Sequence, residues 1–438
     1  MNSCSRVILG AAIVLLGQAA YAQQYVFLRV LGPPASPGGP GVQTNTALTQ
    51  PALSIDGSTL VFRANGSNFT PGVSGPQILA YDIFTGAISV ASTTPAGQPS
   101  APGTSNDRPV VSTDGRFVAF ETNSSSYIGS VPGVHIVRVD QLTHAFKLVD
   151  LNATGALPTA TISRLGGISG DGRYVVFTSN ASSLVAGDPA NNTNSVFVRD
   201  LLADVTRRTD VSSAGVVGNG GAFGELPSIS ADGRFVAFSS TATNLVGGGP
   251  FGGSQRIYLR DLNFNTTTRV GIGPGNIDLS GAGNAAISAD GQNIIFRSSA
   301  GGGSATQMWS RQLSNPFAVA VPAAPNMGLC DRARMASTGI AIVQCRNSSA
   351  AQPRQAFAWS LQSAGLAPEL ISGSDPANTI PGNGNSGEGL DISGGAEVFA
   401  FESVASDLVA SDTNGVSDIF LYVQIASADT VFADGFDP

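Results

Sequence analysis

One pattern recurs along this chain at a nearly fixed interval: Ser, any residue, Asp-Gly, then a short apolar run ending in Phe. Its intact copies read LSIDGSTLVF (53–62), VSTDGRFVAF (111–120), ISGDGRYVVF (168–177), ISADGRFVAF (229–238) and ISADGQNIIF (287–296), and two worn copies follow, ASTGIAIVQC (336–345) and ISGGAEVFAF (392–401). Aligned on Ser54, Ser112, Ser169, Ser230, Ser288, Ser337 and Ser393, successive copies lie 49 to 61 residues apart, with Cys345 in the Phe slot of the sixth. A repeat of this length is one supersecondary unit that must bury its apolar face against its neighbours.

Each copy carries a second apolar run after the Phe slot: QILAYD, HIVRVD, SVFVRD, RIYLRD, QMWSRQ, QAFAWS and DIFLYV. Runs of about six such residues are strands. In the first six copies a third short run follows, clearest in TTTRVGIG (266–273). The unit is therefore an antiparallel meander of four strands. Asp56, Asp114, Asp171, Asp232 and Asp290 belong to the tight turn between the first two, because Gly accepts positive φ and Asp bonds its own backbone. Composition agrees: 54 Gly, 25 Pro and only 12% charged residues suit short strands and turns.

The strand ending at Phe is apolar on consecutive residues, as in Phe235-Val236-Ala237-Phe238, so both its faces must be covered. A radial stack of four-stranded sheets does this, and the expected fold is all-β: a single seven-bladed β-propeller of four-stranded antiparallel blades. The seventh copy lacks an outer strand after DIFLYV. The segment LRVLGPP near the N-terminus shares the register of TRVGIGPG, so the N-terminal strand is expected to complete the last blade and close the ring. The spacing of S-x-D-G-R-Y/F-V-x-F together with DTNGVSDIFLY (412–422) resembles the TolB-like, WD-like (PD40-type) propeller repeat family, over residues 24–427. The resemblance implies the propeller fold. It implies little about activity, because the family spans a periplasmic translocation component, modules attached to peptidases and many exported proteins.

Residues 1–22 read as a secretory leader: Arg6, an apolar stretch from Val7 to Leu16, and Ala20-Tyr21-Ala22 as a cleavage site. The apolar stretch is too short to span a bilayer, which takes about 20 residues. The expected mature chain, a monomer with no membrane span, comprises the propeller (23–427) and a short tail (428–438), in the periplasm or secreted. The tail's VFADGFDP is similar to an F-x-D-G-F-E ending of exported bacterial proteins, with Asp437 in place of Glu. In such a compartment Cys330 and Cys345 are expected to form a disulfide, on segments that fold back around Gly339. The net charge of −8 and the absence of any basic run exclude a nucleic-acid partner.

Catalytic patterns are sparse. GISGD (167–171) and GNSGE (384–388) lack the final Gly of a nucleophile elbow, and the two histidines, His135 and His144, are too few for a histidine-rich metal site. The residues after the Phe slot, Arg63, Glu121, Thr178, Ser239, Arg297, Arg346 and Glu402, place an acid in each blade beside that of Arg63, which reads as inter-blade ion pairing. Asp412, Asn414 and Asp418 around Gly415 have the spacing of a calcium loop or of an Asx turn; no other cofactor is expected. The long connections NGSNFTPGVSGP, NSSSYIGSVPG, SSAGVVGNGGAFGEL and TNLVGGGPFGGS carry Phe69, Tyr127, Phe223 and Phe251, aromatic residues the repeat does not require. They are the expected docking face for a protein or glycan partner. The functional expectation is a binding or scaffold module, with a propeller hydrolase or lyase acting on an extracellular polymer as the alternative.

Overall fold

The computed structural model describes residues 13–15, 24–30, 43–65, 69, 75–101, 105–158, 161–186, 194–222, 226–247, 253–300, 307–324, 329–346, 353–375, 378–410 and 412–425. These are nearly all strand and turn; the one α-helix, Ser125–Ile128, is four residues long. Every apolar run read from the sequence falls on a strand. In the fourth copy the strands are Ser228–Ile229, Phe235–Ser240, Arg256–Asp261 and Thr266–Arg269, paired antiparallel in that order. The first and sixth copies form four-stranded sheets of the same order, and a two-residue strand, Ile272–Gly273, adds a fifth to the sheet of the fifth copy. Copies two and three are linked into one eight-stranded sheet by a short parallel pairing of Thr161 and Ile162 with Gly133 and Val134.

The repeated Ser and Asp work as a pair. The Ser hydroxyl donates to the Asp two residues on, at 2.6 Å for Ser54–Asp56, 2.8 Å for Ser112–Asp114 and 2.5 Å for Ser230–Asp232. The same oxygen accepts the N–H five residues on, that of Phe117 at 2.9 Å in the second copy. These serines are fully buried, so both bonds answer the cost of burying a hydroxyl. Gly then turns the chain in the left-handed region, at φ +77° for Gly115 and +72° for Gly172 and Gly233.

Successive copies are bonded to one another at these turns. Backbone N–H groups donate from Asp56 to Thr113 (3.2 Å), Thr113 to Gly170 (2.9 Å), Gly170 to Ala231 (2.8 Å), Ala231 to Ala289 (2.8 Å), Ser337 to Gly394 (2.8 Å) and Gly394 to Ile55 (2.8 Å). Between the fifth and sixth copies Asp290 N–H donates to Ser337 Oγ at 3.1 Å. The apolar cores follow the same succession. Each cluster is shared by two consecutive copies, as Val61 and Phe120 share one, and Val398 and Leu421 share another with Leu60 and Phe62. The N-terminal strand Gln24–Arg29 pairs antiparallel with the third strand of the seventh copy, Asp418–Ile425, and Ile13–Leu15 pair with its outer edge. Arg29 faces Phe420 as Arg269 faces Tyr258, the register expected from LRVLGPP.

The sixth copy departs from its alignment. Ala336, not Ser337, fills the serine slot: its N–H donates to Ile340 O and its carbonyl accepts from Gly339 N–H. The turn is one residue shorter than in the other copies. Val343 therefore faces Phe357 as Phe120 faces Val137, and Cys345 stands where the second copy has Thr122. The residue after the Phe slot is Gln344, which replaces Arg346 in the expected series.

Candidate binding surface

At the Asp-Gly end of copies two to four, an arginine follows the Gly and clamps the aspartate that ends the third strand. Arg116 donates to Asp140 at 3.1 and 2.8 Å, Arg173 to Asp200 at 2.9 and 2.6 Å, and Arg234 to Asp261 at 3.0 and 2.7 Å. The guanidinium hydrogen bonds hold Asp140 and Asp200 down to about 2. Each guanidinium also lies over the next residue's ring, 4.8 Å from Phe117, 4.7 Å from Tyr174 and 4.4 Å from Phe235.

Just beyond these aspartates the chain turns between its third and fourth strands. The first apolar residue of the turn is buried, as with Ile83 and Leu201. The tip is thrown outward: Phe84 is 77% exposed, Leu142 75%, Leu202 73% and Phe264 71%. Four large apolar side chains thus stand largely in solvent at one end of consecutive copies, Phe264 with the Arg234 guanidinium 5.1 Å from its ring centroid. Their signal was present as an apolar residue two or three places after each third-strand Asp, and reading those segments only as strand ends hid it.

The opposite end behaves differently from expectation. Phe69 is 2% and Tyr127 5% exposed. Tyr127 packs edge-on against Phe120 and Phe146, with centroids 5.6 and 5.1 Å apart, and its hydroxyl donates to Thr93 O at 3.0 Å. These two residues are plugs over the sheet ends, because an aromatic ring with apolar surface in reach gains more from cover than from solvent. They offer no docking surface. Phe223 and Phe251 lie outside the described residues.

Where the first strands of the copies meet, polar groups form a belt. Arg63 pairs with Asp107 at 2.6 Å rather than with Glu121 or Glu402. Glu121 instead takes Arg164 at 2.7 Å and the Leu165 N–H at 2.9 Å. Gln50 N–H donates to Glu402 at 2.9 Å, Arg108 N–H to the Gln50 side-chain oxygen at 2.7 Å, and Leu53 N–H to Asp391 at 2.8 Å. Bulges interrupt these strands, and Gln50, Arg108 and Asn284 sit at φ +58°, +51° and +51°. Burial pushes the Glu121, Glu402 and Asp391 carboxyls up. Each of these acids already holds a guanidinium or a backbone N–H across a seam between copies, which is an interlocking role.

Asp412, Asn414 and Asp418 do come together, around a cation the chain supplies itself. Arg29 lies 3.2 Å from Asp412 and 3.6 Å from Asp418, and Asn414 donates to both oxygens of Asp418 at 3.0 Å. Burial, only partly offset by Arg29, pushes Asp418 up to about 6. Among the described residues no group of three or more His, Cys, Asp or Glu could hold a metal ion. Cys330 and Cys345 face each other across the antiparallel pair Leu329–Met335 and Ile340–Arg346 and are bonded as a disulfide. His135 is fully buried with Nδ1 2.8 Å from Asp150. Gln77 with Ser92 and Gln355 with Ser372 make the same clasp in other copies, which marks it as part of the repeat.

No protein-family model matches the chain, and no curated protein matches it by sequence. Its relatives are structural. An oligogalacturonate lyase from Vibrio parahaemolyticus is 10% identical with a TM-score of 0.53, covering 95% of this chain and 97% of that one. The β-propeller domain of the Trilobed protease from Pyrococcus furiosus is 10% identical at 0.50, covering 90% and 100%. A putative TolB from Agrobacterium tumefaciens is 15% identical at 0.41, covering 64% and 81%. At such identities the likeness to the lyase and to the protease's propeller domain is one of fold, and with the strand pattern above it makes this chain a nearly all-β protein of β-propeller architecture.

Proposed function

We propose that this chain is an exported seven-bladed propeller, closed by its N-terminal strand, that acts as a binding module for a protein partner through its Asp-Gly end. Closure draws support from the hydrogen bonds that return from Gly394 to Ile55 and from the pairing of Gln24–Arg29 with Asp418–Ile425. Export draws support from the leader-like residues 1–22, and among the described residues no helix is long and apolar enough to cross a membrane.

The observation that carries the binding role is the contrast between the two ends. Phe84, Leu142, Leu202 and Phe264 project from the short uniform turns, while Phe69 and Tyr127 of the long connections are buried. Exposed apolar side chains repeated on one face suit a protein surface better than a sugar's hydroxyls. The test compares two fourfold variants for binding to proteins of the source cell's envelope and medium. One carries Ser at Phe84, Leu142, Leu202 and Phe264; the other carries Ser at Ile162, Val216, Ile380 and Val404, exposed at the opposite end. Selective loss of a specific partner in the first is expected. Equal loss in both, or loss only in the second, overturns the assignment.

A further inference from the structure

The seam between copies three and four holds a small cleft of about 60 Å³ at the Asp-Gly end, lined among others by Tyr174, Val198, Asp200, Arg207, Asp232 and Gly233. The preceding seam shows what such a cleft accommodates. There Phe117 packs beneath the turn of the next copy so closely that a Cβ on Gly172 would lie 2.3 Å from the ring; Tyr174 packs beneath Gly233 at the same 2.3 Å. Over Phe117, however, lies the guanidinium of Arg138, 4.2 Å from the ring centroid, and it donates to Gly172 O at 2.9 Å.

Arg138 faces Ala119 across the second and third strands, and Val198 faces Val176 at the equivalent place. Valine has neither the reach nor the donors of arginine. The ring, the turn and its carbonyl are therefore repeated in copy three while their cation is missing. In copy four the larger Leu259 takes the position; in copy one Thr59 stands where the aromatic ring would be. Among the described residues, the third seam is the one that pairs a platform ring with a short side chain.

From this we infer that the cleft between copies three and four is a receptor site for an arginine side chain of a partner, seated on the Tyr174 ring and donating to Gly233 O. The electrostatics suit a cation. Asp232 lines the cleft and accepts hydrogen bonds from Ser230 Oγ and Arg234 N–H, and Asp200 lies beside it in its clamp with Arg173. Planarity favours arginine over lysine, because a guanidinium stacks on the ring and points donors at a carbonyl at once. Arg207 at the rim does not preclude this. It faces Val198 from the outer strand, as Lys147 faces Arg138 in copy two, and there Lys147 reaches past the arginine to donate to Leu201 O at 2.6 Å. Two cations share that seam already.

The site deepens the reading of the Asp-Gly end as the docking face and rests on it, yet it is testable alone with Nα-acetyl-L-arginine amide as the probe. Calorimetric titration of the full chain is expected to show saturable 1:1 binding, with the lysine analogue at least about fivefold weaker. Val198→Arg rebuilds the Arg138 arrangement from within and is expected to weaken the probe at least tenfold. Val198→Leu, which copies the residue of copy four, is expected to weaken it several-fold and gives a second reading should the arginine variant misfold. No saturable binding to the native chain, binding indifferent to both substitutions, or binding that emerges only in Arg207→Ala would each overturn the site. The fourfold tip variant is expected to bind the probe normally, so a failed probe and a failed docking face give different results.

Discussion

If the N-terminal strand is a structural member of the ring, one side chain in it should carry global stability. Phe27 is 7% exposed and stacks on Phe420 at 5.3 Å with the planes 12° apart, while Phe401 and Tyr422 lie at 6.0 and 6.4 Å. Truncating a buried phenylalanine to alanine costs roughly 3–5 kcal/mol through lost transfer energy and the cavity left behind, and each well-placed aromatic pair adds about 0.5–1.5 kcal/mol to what is lost. Phe27→Ala is therefore expected near the upper part of that range. The reporters should be remote. Trp309 and Trp359 lie in copies five and six, so guanidinium unfolding followed by tryptophan fluorescence reads the ring rather than the edited strand. Phe238→Ala, from a buried site in copy four, sets the scale. A Trp-monitored midpoint unchanged by Phe27→Ala, with Phe238→Ala strongly shifted, would refute closure and make the strand an appendage.

Three other outcomes are expected. Arg29→Ala leaves Asp412 and Asp418 buried without their cation and should cost about 3–5 kcal/mol; in the native chain the guanidinium already fills the loop, so millimolar Ca²⁺ is expected to leave the melting temperature unchanged, and a rise would restore the calcium reading. Gly172→Ala forces a side chain at φ +72° toward the Phe117 ring, and strain plus collision should cost at least about 2 kcal/mol; a loss below about 0.5 kcal/mol in equilibrium unfolding would show that the turn gives way. With pH, Asp140 and Asp200 (about 2) stabilise the fold above their unfolded range near 4 and lose that as pH falls toward 2, whereas Asp210 and Asp418 (about 6, raised by burial) stabilise it below about 4 and lose that as pH rises through 6. The unfolding midpoint should thus climb from pH 7 to about 5 and drop below about 4, and a steady decline from pH 7 to 5 would contradict the buried carboxylates.

What the chain's sequence determined by itself is whatever is settled within a few residues. Ser, Asp and Gly at fixed offsets build a turn from their own hydrogen bonds, so each intact copy was legible, and so were the strands of unbroken apolar residues. The register of Arg29 with Arg269 could be read too, because a strand's partner is specified by the same short pattern wherever it occurs. In the sixth copy the serine slot lies one residue and the Phe slot two residues before the expected places, because Ala336-Ser337 sets a serine beside the position that needs one and the turn is a residue shorter; the backbone bonds of Ala336 and the pairing of Val343 with Phe357 tell the two apart. The tertiary structure decided which residues are covered, because cover comes across seams from copies some 57 residues away. Phe69 and Phe84 are the same residue type in the same copy, yet one has a core within reach and the other a turn that points outward. Likewise Val198 is an unremarkable strand valine until Tyr174 and Gly233 are placed above it as Phe117 and Gly172 are placed above Arg138. The packing of successive copies that brings them together draws on several copies at once, and no single stretch of sequence contains it.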